Sequence, residues 1–484
     1  MSESVLYPSL GLSAIDFIRT AYGLVLLATL VSMLPHARRY FLSERWGGYA
    51  QRGPWVDPLQ NPVALPVLLA VWMAAAFALI TGRGVVPGAL INFLLCHYFF
   101  VQMRWKGVLR GMGAPGFIAY WLGAAVLLIE YTRRFAPDLL GLGLLVLQVD
   151  FAFIMLSAGA YKFSAGYRQN DGMEFGLVNP EWGYWTRFWG RRRPSGWWFR
   201  LFNELAWGTE IAAALLMLWP PTRFLGGILI LVSFVFIATQ IRLGFLCEMV
   251  IVCSVIFAQP GSLVDTWLSG ILPGAQAPAV SAAAPLVNDA LRAGLWAYLV
   301  LLPLVRAGLA YNFHMKKALP GSLQRAFDAY TNLFGLIIWR VFSADITNFF
   351  VLIYEERPGG TRLLVSRWGR SLRYMQVAES IAVTSLFTTL KYYPSNNALF
   401  TSRLLRYART VPHRSDSVLV FQYVSIQKRE TCFAAVTAVE YLVDTTQRSV
   451  VECVVDSRVP VREAAGPSPI HEGGQPGSYV PLRR

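Results

Sequence analysis

At 484 residues, 55% hydrophobic and only 15% charged, with a mean hydropathy of +0.44, the chain has the balance of a polytopic membrane protein rather than a soluble one. The net charge of +15 does not point to nucleic acid, because Lys and Arg sit mostly in short loops between apolar stretches, where positive-inside topology accounts for them. The five cysteines form no CxxC pair, and neither a disulfide framework nor a zinc site is expected.

Apolar windows long enough to cross a bilayer mark membrane helices. Nine are expected, at about 14–35, 62–81, 84–103, 115–132, 139–162, 200–219, 223–243, 245–263 and 290–312. Met1 to Leu10 lacks a basic leader region and the first window is long, so it is expected to remain as a span. Basic residues concentrate after odd-numbered windows: Arg38, Arg39, Arg45 and Arg52, then Arg104, Lys106 and Arg110, then Arg168, Arg187 and Arg191 to Arg193. Those loops are expected to face the cytoplasm of a bacterial-type membrane, with the N-terminus outside and the C-terminal domain cytoplasmic. The connection 163–199, rich in Trp and Tyr beside arginine, predicts an amphipathic or re-entrant element at the headgroups.

The texture changes near residue 316. "YTNLFGLIIWRVF" is too short to span and reads as interfacial. A hairpin is expected around Pro358-Gly359-Gly360, with strands in "SVLVFQYVSIQ", "FAAVTAVEYLV" and "SVVECVVDS". The last two flank a turn near Thr446, a register that sets Cys453 opposite Val439, too far from Cys432 for a disulfide. Tyr374–Tyr392 and Ala398–Arg409 predict helices. The fold class is thus a polytopic α-helical membrane protein with a C-terminal α+β extramembrane domain. The expected layout is a membrane domain over 1–315, an interfacial helix and small domain over 316–465, and a Pro/Gly/Ser-rich disordered tail over 466–484.

Polar groups inside the windows carry the functional question, because charge in hydrocarbon is costly. They include Asn92, His97, Gln148, Asp150, Lys162, Asn203, Glu204, Glu210, Gln240, Arg242 and Glu248. Asn203 and Glu210, seven apart, share one helix face, and with Lys162 they are expected to face one shared intramembrane cavity. Two readings of Lys162 stand at this level: a side chain snorkelling to the headgroups, or a base at membrane depth. Arg19 is expected to pair with Asp16 or with an acid on another helix, and Arg242 and Glu248 to be topological or interfacial. His36, His314, His413 and His471 lack ligand-like spacing, so no metal is expected.

The stretch "FIMLSAGAYKFSAGYRQNDGMEF", residues 153–175, resembles the segment of vitamin K-dependent γ-carboxylases that carries the catalytic lysine. The matching features are Ala158-Gly159, Lys162, Tyr167 and Met173-Glu174-Phe175. The helix "NELAWGTEIAAALLMLWPPTRFLG" resembles the family's following span, and "AIDFIRTAYGLVLL" the first helix of the wider HTTM membrane domain. The likeness covers roughly residues 14–260 and implies a membrane enzyme acting on a vitamin K-type hydroquinone or another lipid-soluble substrate. Lys162 would be its base, His97 would stand for a family histidine, and Asn203, Glu210, Tyr167, Met173, Glu174 and Asp150 would line the substrate. The family's seventh-helix histidine is matched by Phe234, which separates glutamate carboxylation from this expectation. A desolvated lysine is a stronger candidate base, because burial disfavours its charged form. The alternative is a non-catalytic membrane subunit or assembly factor, whose partners would be membrane lipids and other proteins of a complex.

Overall fold

In the computed structural model of the chain, seven helices among the described residues are long and apolar enough to cross a membrane. The structure describes residues 7–103, 113–165, 167, 169, 172–272, 285–315, 317–339, 344–366, 373–454 and 480–481. Helix α1 (Leu12–Met33) runs on through a 3-10 turn to Phe41, and α2 (Ala64–Thr81) is followed by α3 (Val85–Cys96), which a π-helical segment extends to Gln102. Next come α4 (Gly113–Phe135), α5 (Leu140–Ser164), the short α6 (Gly172–Val178), α7 (Trp197–Leu218) and α8 (Arg223–Gln240). Then follow α9 (Leu246–Ser254), α10 (Leu263–Ile271), α11 (Pro285–His314) and α12 (Gly321–Leu333). The seven candidate spans are α1, α2, α3, α5, α7, α8 and α11 with their flanking turns. Helix formation satisfies the backbone inside each segment, which hydrocarbon demands.

Two of the nine windows fold differently. Window 115–132 is the 23-residue α4, which carries Glu130, Arg133 and Arg134 near its C-terminal end and is not among the seven. Window 245–263 yields only α9 and a 3-10 turn to Phe257. Gly244 in the left-handed region (φ 60°) delays the helix and Pro260 follows it, so the apolar helix Leu246–Phe257 is roughly 18 Å long, short of the ~30 Å hydrocarbon core. Arg19 makes both expected pairings, with Asp16 at 3.4 Å and with Glu130 of α4 at 3.5 Å.

The C-terminal region is a small antiparallel sheet of order β2-β1-β3-β4-β5-β6. Its strands are β1 (Phe349–Glu356), β2 (Arg362–Leu364), β3 (Val418–Lys428), β4 (Phe433–Asp444), β5 (Ser449–Val454) and the short β6 (Val480–Pro481). Helices α13 (Arg373–Tyr392) and α14 (Asn397–Ala408) stand between β2 and β3 in sequence, close to the expected bounds. Gly359 and Gly360, at φ 97° and 82°, turn the β1–β2 hairpin as anticipated. Phe387 of α13 packs on Phe400 of α14 and Tyr441 of β4, which joins helices and sheet in one core.

One expectation needs correction. Cys453 lies opposite Glu440 rather than Val439, because β4–β5 pairs from Asp444 against Ser449; all five cysteines are free. The stretch after α12 packs inward: Leu336 and Trp339 are buried, with Trp339 stacked on Phe234 of α8. Within connection 163–199, every residue of α6 is buried. The loop 104–112, residues 340–343 and most of the tail 466–484 lie outside the described residues.

Candidate functional site

Helices α5 and α7 pack antiparallel, and the reason they approach so closely is Gly159. A Cβ there would lie 2.7 Å from the Ile211 side chain and 2.9 Å from the Trp207 carbonyl oxygen. Small residues at such crossings let two backbones meet. One turn further along α5, Lys162 reaches across to α7. Its ammonium lies 3.5 Å from the Ala206 carbonyl and donates to Glu210 Oε1. Both side chains are buried, at 4% and 1% exposure.

This partner fixes the direction of the Lys162 side chain. Along α5 it stands beside the helix end, as a snorkelling residue would. Glu210, however, lies well inside the 22-residue α7, about 20 Å from Trp197 at 1.5 Å per residue. The ammonium therefore points inward against α7, where both side chains are buried. Glu210 Oε2, also buried, has no hydrogen-bond partner among the described residues.

Asn203 sits on the same face of α7 and is wholly buried. Its Oδ1 accepts from the Met173 amide of α6 at 2.8 Å, which fixes the amide's orientation and leaves Nδ2 unpartnered. Tyr167 is buried too, and its ring lies against Gly172, where a Cβ would be 2.3 Å from a ring carbon. Burial above all, and then the Glu210 charge, hold the Tyr167 phenol protonated well above its usual range. Lys162, Glu210, Tyr167, Asn203 and Met173 thus form one cluster at the α5–α6–α7 junction.

The other three candidates lie elsewhere. Glu174 accepts from the Ser195 amide and from Lys428 Nζ, each at 2.6 Å, so it ties α6 to strand β3 rather than lining the cluster. Asp150 stands twelve residues before Lys162 on α5, about 18 Å along the helix. Its Oδ1 accepts from Arg306 at 2.8 Å, and its Oδ2 from Trp121 and Tyr298 at 2.9 Å each. His97 is placed by Leu333 O at 2.7 Å, by Gln102 and by the rings of Phe93 and Tyr120, a set that shares no residue with the Lys162 cluster. Arg242 is no mere topological marker: it donates to Pro180 O at 2.9 Å and covers the Tyr184 ring.

Sequence reasoning missed Arg306, Lys428 and Trp207. The signal for Arg306 was present, since an arginine in the middle of an apolar window needs a buried partner. Among the described residues, no group of three His, Cys, Asp or Glu side chains gathers as a metal site. This chain matches no family model, no curated protein and no solved structure.

Proposed function

We propose that this chain is an integral membrane enzyme in which Lys162 and Glu210 together accept a proton from the hydroxyl of a lipid-soluble substrate of the quinol class. The observation that carries this reading is the buried pair itself, with one carboxylate oxygen engaged by the ammonium and the other unpartnered. A hydroxyl-bearing ring fits this arrangement, because Oε2 needs a donor.

The pair refines the role that resemblance implies for Lys162. An ammonium bound to a carboxylate has no lone pair, so in the ion pair the open acceptor is Glu210 Oε2. The substrate O–H breaks, its electron pair stays on the substrate oxygen, and the new O–H forms on Glu210. If Lys162 first passes its proton to Glu210, the free amine accepts instead. Either route gives the pair one proton and a net positive charge, which stabilises the oxyanion left beside it in a medium of low dielectric. Loop charges favour a cytoplasmic C-terminal domain, and helix ends support it: Arg39, just beyond α1, pairs with Glu379 of α13 at 3.0 Å.

The competing reading is a non-catalytic membrane subunit, and Asp150 lends it weight by showing that this bundle also uses charge as internal bracing. Quinol-dependent oxygen uptake in membranes holding equal amounts of each variant decides between them. Lys162→Met and Glu210→Gln should abolish uptake, and Lys162→Arg separates the two routes: uptake survives where Glu210 accepts directly and is lost where the amine must accept, because guanidinium does not release its proton. An inactive parent, or full uptake by Lys162→Met, refutes the enzymatic reading.

A further inference from the structure

Three buried polar atoms of α7 lack partners among the described residues: Asn203 Nδ2, Trp207 Nε1 and Glu210 Oε2. Their residues follow at i, i+4 and i+7 and so form one row along the helix. The row presents two N–H donors and one carboxylate acceptor. A buried polar group left without a partner is costly, so three on one stripe form a coherent recognition pattern. Asn203 itself is fully buried and Glu210 is 1% exposed.

The row also meets the bilayer. The Trp207 ring stands edge-on to Phe163 of α5, centroids 4.9 Å apart. Phe163 is 39% exposed on the outer surface of a membrane-spanning helix, and Trp207 is half-buried behind it. Phe163 follows Lys162 directly on α5 and Trp207 stands three residues before Glu210 on α7, so the ring pair lies at the edge of the seam that holds the ion pair.

We propose that the α5–α7 seam is a lateral entry and orienting site. An uncharged aromatic lipid bearing a hydroxyl and a second oxygen passes the Phe163–Trp207 edge, places its hydroxyl on Glu210 Oε2, and accepts from Trp207 Nε1 or Asn203 Nδ2. Charge decides the class. The Lys162–Glu210 pair is neutral overall, so it offers no attraction to a phosphate headgroup, whereas an N–H, N–H, carboxylate row suits a ring with one donor and one or two acceptors. Trp207 and Asn203 are thus positioning residues, and this inference rests on the proton-accepting role proposed for the pair.

The test uses full-length protein in native membranes and a 4-alkoxy-1-naphthol with a photoactivatable diazirine on its alkyl tail. Peptides carrying Phe163 and Trp207 should take the label, and unlabelled naphthol should displace it. Trp207→Phe keeps the ring and removes the N–H, and Asn203→Leu removes the amide. Each should weaken displacement about three- to tenfold, one hydrogen bond's worth. Leu215→Ala, on the lipid-exposed part of α7, should change nothing. Lys162→Met should keep the label while losing oxygen uptake. Labelling without uptake by the parent would overturn the catalytic reading and leave this site standing. Uptake with labelling elsewhere, or with displacement unchanged in Trp207→Phe, would overturn this site alone. Should Asn203→Leu fail to fold, Trp207→Phe decides.

Discussion

Helix α5 carries two buried charges, and they are treated in opposite ways. Asp150 is saturated: Arg306 takes one oxygen, Trp121 and Tyr298 share the other, and Arg306 also donates to the Ile337 carbonyl at 2.9 Å. Glu210, the partner of Lys162, is left half-satisfied. A saturated carboxylate braces helices, here α4, α5 and α11. A half-satisfied carboxylate keeps an oxygen open to a further donor.

That contrast is open to a direct break. Asp150→Leu strands Arg306 in the bundle and should cost about 3–5 kcal/mol, read as a collapse in the yield and thermal midpoint of detergent-solubilised protein. The double variant Lys162→Met/Glu210→Leu removes both charges together and should fold nearly as well as the parent while losing all turnover, since apolar replacement of a whole buried pair is often close to neutral. Equal destabilisation by the two would erase the distinction. A smaller effect is expected at the crossing that sets the pair. Gly159→Ala pushes α5 against the α7 backbone and should cost about 1–3 kcal/mol, with uptake falling more than stability alone explains.

The smallest effect concerns a third buried carboxylate, outside the spans. Glu181 is 2% exposed, and its neighbours are the Thr384 hydroxyl and the Glu379 carboxylate. Burial above all, with Glu379 adding to it, pushes its carboxyl from 4.5 up to about 8. A raised folded value means that protonation favours the folded state. The contribution is whole below pH 4.5 and is lost as pH rises through about 8. The thermal midpoint should therefore fall between pH 5 and 8.5, and Glu181→Gln should flatten that slope.

Much of the architecture was legible because it is local. Apolar windows, the Pro358-Gly359-Gly360 hairpin, strands β3 to β5 and helices α13 and α14 follow from periodicity and turn chemistry in their own residues. Asn203 and Glu210 were placed on one face by spacing alone. What escaped is non-local. Lys428 meets Glu174 across 254 residues, and Arg306 meets Asp150 across 156, so neither local spacing nor composition points to the pairing. Window 245–263 looked like a span because hydropathy averages over Gly244 and Pro260, which backbone geometry does not. The stretch holding Trp339 read as interfacial because it is too short to span, and its contact with Phe234 of α8 is a long-range one that no local spacing announces.

The Glu174–Lys428 contact also sets a problem in time. The membrane half is synthesised first, and its α6 carboxylate must wait for a lysine that emerges 254 residues later. At about 5–20 residues per second, that interval is on the order of 10–50 s. During it Glu174, destined for complete burial, waits for Lys428, and the loop from α6 to α7 lacks its anchor on β3. Nascent chains should therefore carry α6 unsealed until the sheet is complete, exposed to the insertion machinery and to proteases alike, and a ribosome stalled before Lys428 should leave the junction at Asn203 unset.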